Sequence, residues 1–316
     1  MKSCSVNCHS RICESGKDKT MIPPFISYVS FNRLGLTTKN LSAILNSTED
    51  FEMHIIDSCS KDDTWDYIMS LNDSRIKTKE HFEVNHGKTY AVNLHLMRRL
   101  PEQYFFTVDN GAHIGTKGWI GKFLDVFEAF PEVGLLGVRA ADGYQPQVIP
   151  RVKGPLSYLE LTDNISDAEK SYIPDHCMCL RPELIKGIGY FSEENYFGAI
   201  DLSYRVCNHT GFKAGFMPNV HLRRPDPIPC SACTYFRECK LDKAPNTCFS
   251  IYNKLNKDAD FLQKNKWKFE ETVRDLQSGA RPVYCASLVD VSSSKDHVYN
   301  KDWAMGNIVY FIKNAN

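Results

Sequence analysis

Two aspartates stand at the ends of apolar, strand-like segments, where a side chain is well placed to bind a ligand. Asp57 ends the run FEMHIID, and Asp109 ends the aromatic run YFFTVD. In open α/β sheets ligands bind beside the carboxyl ends of the strands, so side chains there are available for binding rather than packing. Such a carboxylate can accept a hydrogen bond or help to hold a divalent cation. The alternative, capping of the next helix, is favoured for Asp62 and Asp63.

Cysteine is the second residue type that could carry chemistry, because the chain contains 12 cysteines. Four share one segment: Cys230, Cys233, Cys239 and Cys248. The segment opens with a Cys-x-x-Cys pair, the spacing with which two thiolates bind one metal ion, and two further thiolates would complete a tetrahedral set. We expect a structural zinc ion here, with an iron–sulfur cluster as the alternative.

The elements that would position the two aspartates alternate between strand and helix. Residues 26–34 contain a short apolar strand that leads into the polar pair Asn32 and Arg33, and apolar residues then follow at helical spacing. The runs that end at Asp57 and Asp109 supply two more strands, each preceded by a helical segment. This alternation is typical of an α/β nucleotide-binding fold.

Five local patterns follow one another along the chain. They are VSFNR (29–33), IIDSCSKDD (55–63), NHGKTYAVN (85–93), TVDNGAHI (107–114) and CLRPELIKGIGYFSEENYFGAIDLSYRV (179–206). In these patterns the chain resembles the family 2-type glycosyltransferases of the GT-A fold, which take a sugar from a nucleotide-sugar donor. One such motif alone would be a weak signal, whereas five in order are specific. The resemblance implies an α/β fold with a Rossmann-like mixed sheet flanked by helices.

We expect three parts in the chain: a polar tail in residues 1–22, a GT-A domain in 23–226 and a small Cys-rich, mainly helical extension in 227–316. The Pro-rich link RRPDPIP breaks regular structure just before the first cysteine pair. Beyond it, an apolar stripe at helical spacing predicts one or two helices. We expect these helices to pack near the acceptor side of the main domain.

The resemblance also implies a donor site. Its residues would be Asp57, Asn32, Arg33, Asn85, Lys88, Asn93, Asp109 and Asn110. A UDP-sugar is the favoured donor, because the N–H of a uracil can donate a hydrogen bond to the Asp57 carboxylate.

The same family normally places Asp-x-Asp where this chain has Asp109, Asn110 and Gly111. A divalent cation held by carboxylates would neutralise the charge that a diphosphate gains as the sugar departs, so we expect Mn²⁺ or Mg²⁺ at Asp109. The resemblance implies His221 as a further ligand, and His113 is a weaker substitute. Since the second aspartate is missing, metal dependence stays open at this point.

The acceptor hydroxyl must lose a proton as it attacks the sugar, so an inverting transferase with a single displacement needs a base. The Glu-Asp pair that the family uses is replaced here, which leaves Asp201 as the expected catalytic base beside Asp109 as the second catalytic residue. Glu193 and Glu194 are substitutes for Asp201. The alternative for Asp201 is an N-cap of the following helix.

Two other functions are compatible with the sequence. The chain could be a glycosyltransferase-like binding module without catalysis, which the two missing acidic motifs favour. It could also be a transferase whose zinc-bearing extension recognises a nucleic acid or protein acceptor, because residues 240–268 contain seven lysines. A solvated helix face explains these lysines equally well. Loss of acceptor binding when these lysines are replaced would separate the two.

Composition limits the remaining possibilities. Lys plus Arg and Asp plus Glu each number 38, so no broad basic field points to nucleic acid or to an anionic membrane. No apolar run of transmembrane length is present. The N-terminal tail lacks the apolar core of a signal peptide, and its Cys4, Cys8, His9 and Cys13 match no zinc spacing. We therefore expect a cytoplasmic protein with a flexible tail.

Overall fold

The computed structural model describes residues 22–139, 146–162, 171–225, 228–237, 239–244 and 246–315. Its strands are β1 (Phe25–Ser30), β2 (Glu52–Asp57), β3 (Ile76–His81), β4 (Phe105–Asp109), β5 (His113–Ile114), β6 (Val133–Gly137), β7 (Val148–Lys153), β8 (Leu156–Leu161), β9 (Cys177–Leu180), β10 (Lys213–Phe216) and β11 (Leu222–Arg223). Its helices are α1 (Leu34–Leu45), α2 (Thr64–Ser70), α3 (Lys88–Arg98), α4 (Trp119–Ala129), α5 (Pro182–Ile188), α6 (Gly198–His209), α7 (Cys248–Lys257), α8 (Ala259–Ser278), α9 (Ser293–Asp296) and α10 (Lys301–Asn314). Among the helices of these described ranges, none has the length and the apolar composition needed to span a membrane. The predicted tail up to residue 21, with Cys4, Cys8, His9 and Cys13, lies outside the described residues.

In the described residues one sheet holds nine strands in the order β3-β2-β1-β4-β9-β6-β10-β8-β7, and β11 pairs with β5 in a small second sheet. Strands β3, β2, β1 and β4 are parallel. Strand β9 is antiparallel to both of its neighbours, β4 and β6. The expected mixed sheet flanked by helices is therefore confirmed.

The central strands are apolar throughout because both of their faces are covered. Successive side chains of a strand point to opposite faces, so Ile26 and Tyr28 join one core while Phe25 and Val29 join the other. The first core includes apolar residues of α1 and α4, and the second includes those of α3, α5 and α6. The sheet edge at which β1, β2 and β4 end is thereby held between two packed layers.

The C-terminal part is mainly helical, as expected, and it packs on the sheet domain. Phe269 and Leu276 of α8 form a small apolar cluster with Tyr204 of α6. Farther along, Cys285 lies beside the end of α5, where its N–H donates to the carbonyl of Ile188 at 3.0 Å. The proposed boundary at 226/227 falls on residues outside the described set, so the division into domains stays a prediction.

One glycine allows this docking. Gly189 has φ +70°, and a Cβ at this position would lie 2.4 Å from the carbonyl oxygen of Cys285. Only glycine combines the left-handed backbone with such a close approach of another chain segment. The Tyr190 N–H then donates to the same carbonyl at 2.9 Å.

Candidate active site

A cavity of about 460 Å³ opens at the carboxyl ends of β1, β2 and β4. Its strand-end wall is formed by Ser30, Phe31, Ser58, Asp109 and Asn110. The loop before α3 and its first turn supply a second wall, which consists of residues 85–90. The third wall includes Glu193 and residues 195–200, and Phe311 of α10 comes from the C-terminal part. The site that the sequence predicts at this sheet edge is thus a true concavity.

Lys88 lies at the centre of the polar wall, at the first residue of α3. Its ammonium is 2.5 Å from Oδ1 of Asp109 and 2.9 Å from Oδ2 of Asp175, and it also donates to the Asp175 carbonyl at 2.8 Å. Burial opposes the charged form of Lys88, but the attraction of Asp109 and Asp175 outweighs it and raises the pKa. Burial of Asp175 likewise opposes ionisation, and Lys88 overcomes this and lowers the pKa of the carboxyl.

Asp175 is a residue that the sequence analysis missed. It precedes β9, the antiparallel strand beside β4, and this pairing brings residues 175 and 176 level with the end of β4. The Asp109 N–H donates to the carbonyl of His176 at 3.1 Å, and the Thr107 hydroxyl donates to the carbonyl of Asp175 at 3.0 Å. A carboxylate directly before an apolar strand, in PDHCMCL, is the signal that could have identified it.

Asn110 shapes the turn after Asp109. Its Nδ2 donates to the carbonyl of Asn32 at 2.9 Å, and its own carbonyl accepts a hydrogen bond from Asn40. Asn32 has φ 53° and is 1% exposed, and its Oδ1 accepts from the Lys61 N–H at 2.8 Å. Asn110 therefore lines the cavity, whereas Asn32 lies outside its described wall and connects the loops that follow β1 and β2.

Arg33 is not part of the described cavity wall. It also has a left-handed backbone, with φ 66°, and its guanidinium donates to the carbonyl of Pro225 at 2.6 Å. At the start of α1 the Leu34 N–H donates to Oδ2 of Asp62 at 3.1 Å, and Oδ1 of Asp62 accepts from the Thr64 N–H at 3.1 Å. The capping role expected of Asp62 is thus confirmed, while Asp63 makes no side-chain capping bond to α2 within the described residues.

Asp57 is fully buried at the end of β2. Its carboxylate accepts hydrogen bonds from Ser30 Oγ at 3.0 Å, from Ser60 N at 2.9 Å and from Ser60 Oγ at 2.5 Å, and it lies 2.9 Å from Nδ1 of His81. The described wall of the cavity includes Ser58 but not Asp57. In this structure Asp57 therefore organises the turn that borders the cavity.

Asn85 precedes α3 and Asn93 lies within it, and the two side chains have different surroundings. Asn85 lines the cavity, and its Oδ1 accepts from the Gly87 N–H at 2.8 Å. Asn93 is buried on the far side of the helix, where it exchanges two hydrogen bonds with the backbone of Phe191 and donates to Glu193 at 3.0 Å. Asn93 thus connects α3 to the segment that contains Phe191 and Glu193, and it is not part of the described cavity wall.

The two histidines considered as metal ligands, His221 and His113, are not part of the described cavity wall that contains Asp109. His221 is exposed, and its backbone N–H donates to the Thr116 hydroxyl at 2.9 Å. His113 lies on β5 with its ring nitrogen 3.2 Å from Oδ1 of Asn40. Across the described residues no three His, Cys, Asp or Glu side chains converge to hold a metal ion. The oxygens near Asp109 come instead from Asp175.

The carboxylates of Glu193, Glu194 and Asp201, the candidates for the base, all have hydrogen-bond or ion-pair partners. Asp201 is 1% exposed and lies inside the first turn of α6, so it is not the N-cap considered above. Its Oδ1 is 2.6 Å from Nε of Arg205, which is 2% exposed. Glu194 is buried in an ion pair with Arg281. The predicted base Asp201 therefore forms a buried ion pair with Arg205 and is not part of the described cavity wall.

Glu193 does reach the cavity wall, but its lone pairs are filled. Oε1 accepts from Asn93 Nδ2 at 3.0 Å and from Ser287 Oγ at 2.8 Å. Oε2 accepts from the Leu288 N–H at 2.8 Å and from the Tyr299 hydroxyl at 2.5 Å. A carboxylate has about four lone-pair sites, so Glu193 serves to hold the C-terminal segment against the cavity.

The zinc site expected in the cysteine segment is not supported by the residues that the structure describes. Its four thiols, those of Cys230, Cys233, Cys239 and Cys248, are not joined in disulfides. Cys233, Cys239 and Cys248 line a separate cavity of about 750 Å³ that faces α1 and α2. Among the described residues no group of three or more His, Cys, Asp or Glu side chains is arranged to hold a metal ion, so neither the zinc ion nor the iron–sulfur alternative is supported there.

Aromatic residues line the part of the cavity that residues 195–200 and α10 form. Tyr196 lies in the wall with its ring centroid 6.1 Å from that of Phe311 in α10, and burial raises the pKa of its hydroxyl to about 12. Arg224 adds a cationic side chain to the same cavity. The sequence contains no local signal for Phe311, because this residue reaches the cavity only through the packing of α10.

The family model described as "Glycosyl transferase family 2" matches residues 27–189, which is more than half of the chain. No curated protein matches the sequence. Among solved structures, S. aureus TarS 1–349 in complex with UDP has a TM-score of 0.47 and 15% identity, over 64% of this chain and 60% of that chain. The mannosyltransferase PcManGT from Pyrobaculum calidifontis, in complex with GDP-Man and Mn²⁺, has a TM-score of 0.47 and 13% identity over 94% of this chain and 88% of that chain.

The chain thus spans about 60% of the length of the TarS structure. The matched range runs from β1 to the end of α5 and includes Asp109, Lys88 and Asp175 at the cavity. The mixed sheet agrees with the GT-A fold that the sequence motifs imply. The chain belongs to glycosyl transferase family 2.

Proposed function

We propose that this protein transfers a sugar from a nucleotide-sugar donor to an acceptor hydroxyl. One observation carries the proposal: the cavity lies at the carboxyl ends of β1, β2 and β4, and its polar wall holds a lysine between two aspartates. Ligands of open α/β sheets bind at this edge. Family membership supports the reaction class, and the choice of donor and acceptor is our inference.

A UDP-sugar is the donor that we propose. The nucleoside would lie against the part of the wall that Ser58 and Asn85 form, beside the turn that Asp57 organises. Asp57 would then support recognition by fixing the Ser58–Ser60 turn, in addition to the direct role inferred from sequence. The preference for uridine rests on the sequence resemblance.

The diphosphate would lie at the Lys88 and Arg224 side of the cavity, where cationic groups line the wall. Developing charge on the leaving group is stabilised by cations placed in advance. Mn²⁺ or Mg²⁺ at Asp109 would supply the same stabilisation. Carboxylate and carbonyl oxygens are the ligands that these hard cations prefer, and the oxygens around Lys88 are of this kind.

Transfer with inversion by a single displacement is the mechanism that we propose from the resemblance. It requires a proton acceptor, and the engagement of Asp201 with Arg205 removes the support for Asp201 in that role. The described cavity wall contains three carboxylates: Glu193, whose oxygens already accept four hydrogen bonds, and Asp109 and Asp175, which pair with Lys88. The anomeric configuration of the product, read by NMR, tests the stereochemistry.

A second candidate function is binding of a nucleotide sugar without transfer. Gly198 and Ala199 line the cavity where the resembling family carries its acidic pair, and this observation favours the second candidate. Recognition of a macromolecular acceptor by the lysines of the extension has less support. Lys264 and Lys268 lie over the ring of Trp303, so packing explains both of them.

Donor hydrolysis without acceptor tests the proposal. A panel of UDP-, GDP- and TDP-sugars is incubated with the protein, with and without Mn²⁺, and nucleotide release is measured. We expect one donor to be hydrolysed, and Asp109→Ala to abolish that hydrolysis while Asp125→Ala, an exposed aspartate on α4, retains it. Tight nucleotide-sugar binding without hydrolysis would favour the second candidate, and absence of binding would refute both.

A further inference from the structure

Three oxygens converge on one cation in the cavity. The Lys88 ammonium contacts Oδ1 of Asp109 at 2.5 Å, Oδ2 of Asp175 at 2.9 Å and the backbone carbonyl of Asp175 at 2.8 Å. An ammonium has three N–H groups, so these contacts use all of its donor capacity. Lys88 therefore occupies this oxygen set in the structure.

The oxygen set fits a hard divalent cation. Mg²⁺ is held in many phosphate-binding sites by one or two carboxylates, with phosphate and water oxygens completing the shell. Asp109 supplies one carboxylate, and Gly111 cannot supply the second because it has no side chain. Asp175 presents a carboxylate oxygen and a carbonyl oxygen toward the same point, which the ammonium marks.

The placement of Asp175 is built into the sheet. Its carbonyl accepts from the Thr107 hydroxyl, two residues before Asp109 on β4, and the carbonyl of the next residue, His176, accepts from the Asp109 N–H. Thr107 holds Asp175 through its side-chain hydroxyl, and Asp109 holds the neighbouring His176 through its backbone N–H. Asp175 is thereby held beside Asp109 by the strand pairing itself.

The backbone of Lys88 is also held in place by packing. It follows Gly87, which has φ +87° and at which an added Cβ would lie 2.7 Å from the ring of Phe311. Helix α10 thus packs directly against the first turn of α3, where Lys88 begins the helix. The ammonium reaches the two aspartates from a fixed backbone position.

We propose that Asp175 supplies the carboxylate that position 111 lacks, and that Lys88 and a divalent cation compete for the oxygens of Asp109 and Asp175. This proposal rests on the proposed function in one respect: the role given to the cation is to bind the diphosphate of the donor. In the ligand-free protein the Lys88 ammonium pairs with both carboxylates and offsets one of their two negative charges. A ligand that binds only the fraction of molecules with a free site shows an affinity reduced by that fraction.

Mn²⁺ binding to the full chain in the absence of nucleotide tests the competition. The free Mn²⁺ concentration is followed by electron paramagnetic resonance for the wild type, for Lys88→Met and for Lys186→Met, an exposed lysine on α5. Because Lys88→Met removes the competing charge and keeps the length of the side chain, we expect Mn²⁺ to bind it about tenfold or more tightly than the wild type. Lys186→Met should bind like the wild type.

Asp175 is tested in the same background. Adding Asp175→Asn to Lys88→Met should return the Mn²⁺ affinity to the wild-type level or below it. Equal Mn²⁺ affinity in the wild type and Lys88→Met, or an unchanged affinity when Asp175→Asn is added, would overturn the proposal. If Lys88→Met does not fold, as judged by circular dichroism, Lys88→Gln is measured with the same criteria.

Metal binding and donor turnover separate the two proposals. Donor hydrolysis in a protein whose Mn²⁺ affinity does not respond to Lys88→Met would leave the proposed function standing and refute the competition. Tighter Mn²⁺ binding in Lys88→Met, in a protein that neither binds nor hydrolyses any nucleotide sugar, would support the competition and refute the proposed function.

Discussion

Replacing Asp201 separates a structural role for this residue from a catalytic one. The Asp201 carboxylate is 1% exposed and 2.6 Å from the Arg205 guanidinium. Arg205 also donates to the carbonyls of Ile188 at 2.7 Å and Tyr190 at 2.8 Å, so it joins α6 to the end of α5. Asp201→Ala would leave a buried cation without its counter-charge.

Breaking a buried ion pair by removing one partner costs about 3–5 kcal/mol of the free energy of unfolding. For a large domain each kcal/mol lowers the melting temperature by roughly 2–4 °C, so Asp201→Ala should melt about 6–20 °C below the wild type. Asp201→Asn retains an oxygen acceptor of the same size and should be destabilised less. The double variant Asp201→Ala/Arg205→Met should recover part of the loss, because an apolar pair can replace a buried ion pair.

Thermal unfolding followed by circular dichroism measures these differences, and donor hydrolysis at a temperature where every variant is folded measures activity. The exposed pair of Arg98 and Glu80 provides the control, since Glu80→Ala should cost at most about 1 kcal/mol. The reasoning fails if Asp201→Asn melts with the wild type yet loses donor turnover, because Asp201 would then act in chemistry and not in folding.

Three further results are expected. Gly87→Ala should lower stability by about 1–3 kcal/mol and weaken nucleotide binding, because φ is +87° and the new Cβ would press on Phe311; unchanged calorimetric affinity would contradict the packing of α10 at the cavity. Asp57→Ala should lower the free energy of unfolding in urea by about 1–3 kcal/mol through the orphaned donors of Ser60, and a wild-type urea midpoint would argue against the buried network. Removing residues 246–316 should make the remaining chain sensitive to proteolysis, and a truncated protein with full donor affinity would show that the sheet domain is independent.

Periodicity and strand-end chemistry made much of the donor side predictable. The runs that end at Asp57 and Asp109 are the strands β2 and β4, and Lys88 and Asn85 lie in the predicted segment beside the cavity. Parallel strands end at one edge, so a residue placed at a strand end is placed at the cavity as well. Asp57 shows the limit of this argument, because its carboxylate turns into the protein, toward Ser60.

Long-range contacts explain what the sequence did not predict. Asp175 reaches Asp109 only because β9 runs antiparallel between β4 and β6, a pairing that no local pattern encodes. Phe311 reaches the cavity only through the packing of α10. The ion pair of Asp201 was easier to predict from the sequence. Arg205 follows four residues later on the same helix, and side chains at this spacing lie next to each other.

The two sides of the cavity therefore differ in what their acidic residues do. On the donor side Asp109 and Asp175 face a cation within the cavity wall. On the acceptor side Glu193 and Glu194 are used to bind the C-terminal part, through Tyr299 and Arg281. Because carboxylates committed to structure are poorly placed to take a proton, nucleotide-sugar binding and sugar transfer are separable properties of this chain. Measuring binding and hydrolysis on the same variants is consequently what distinguishes a transferase from a binding module.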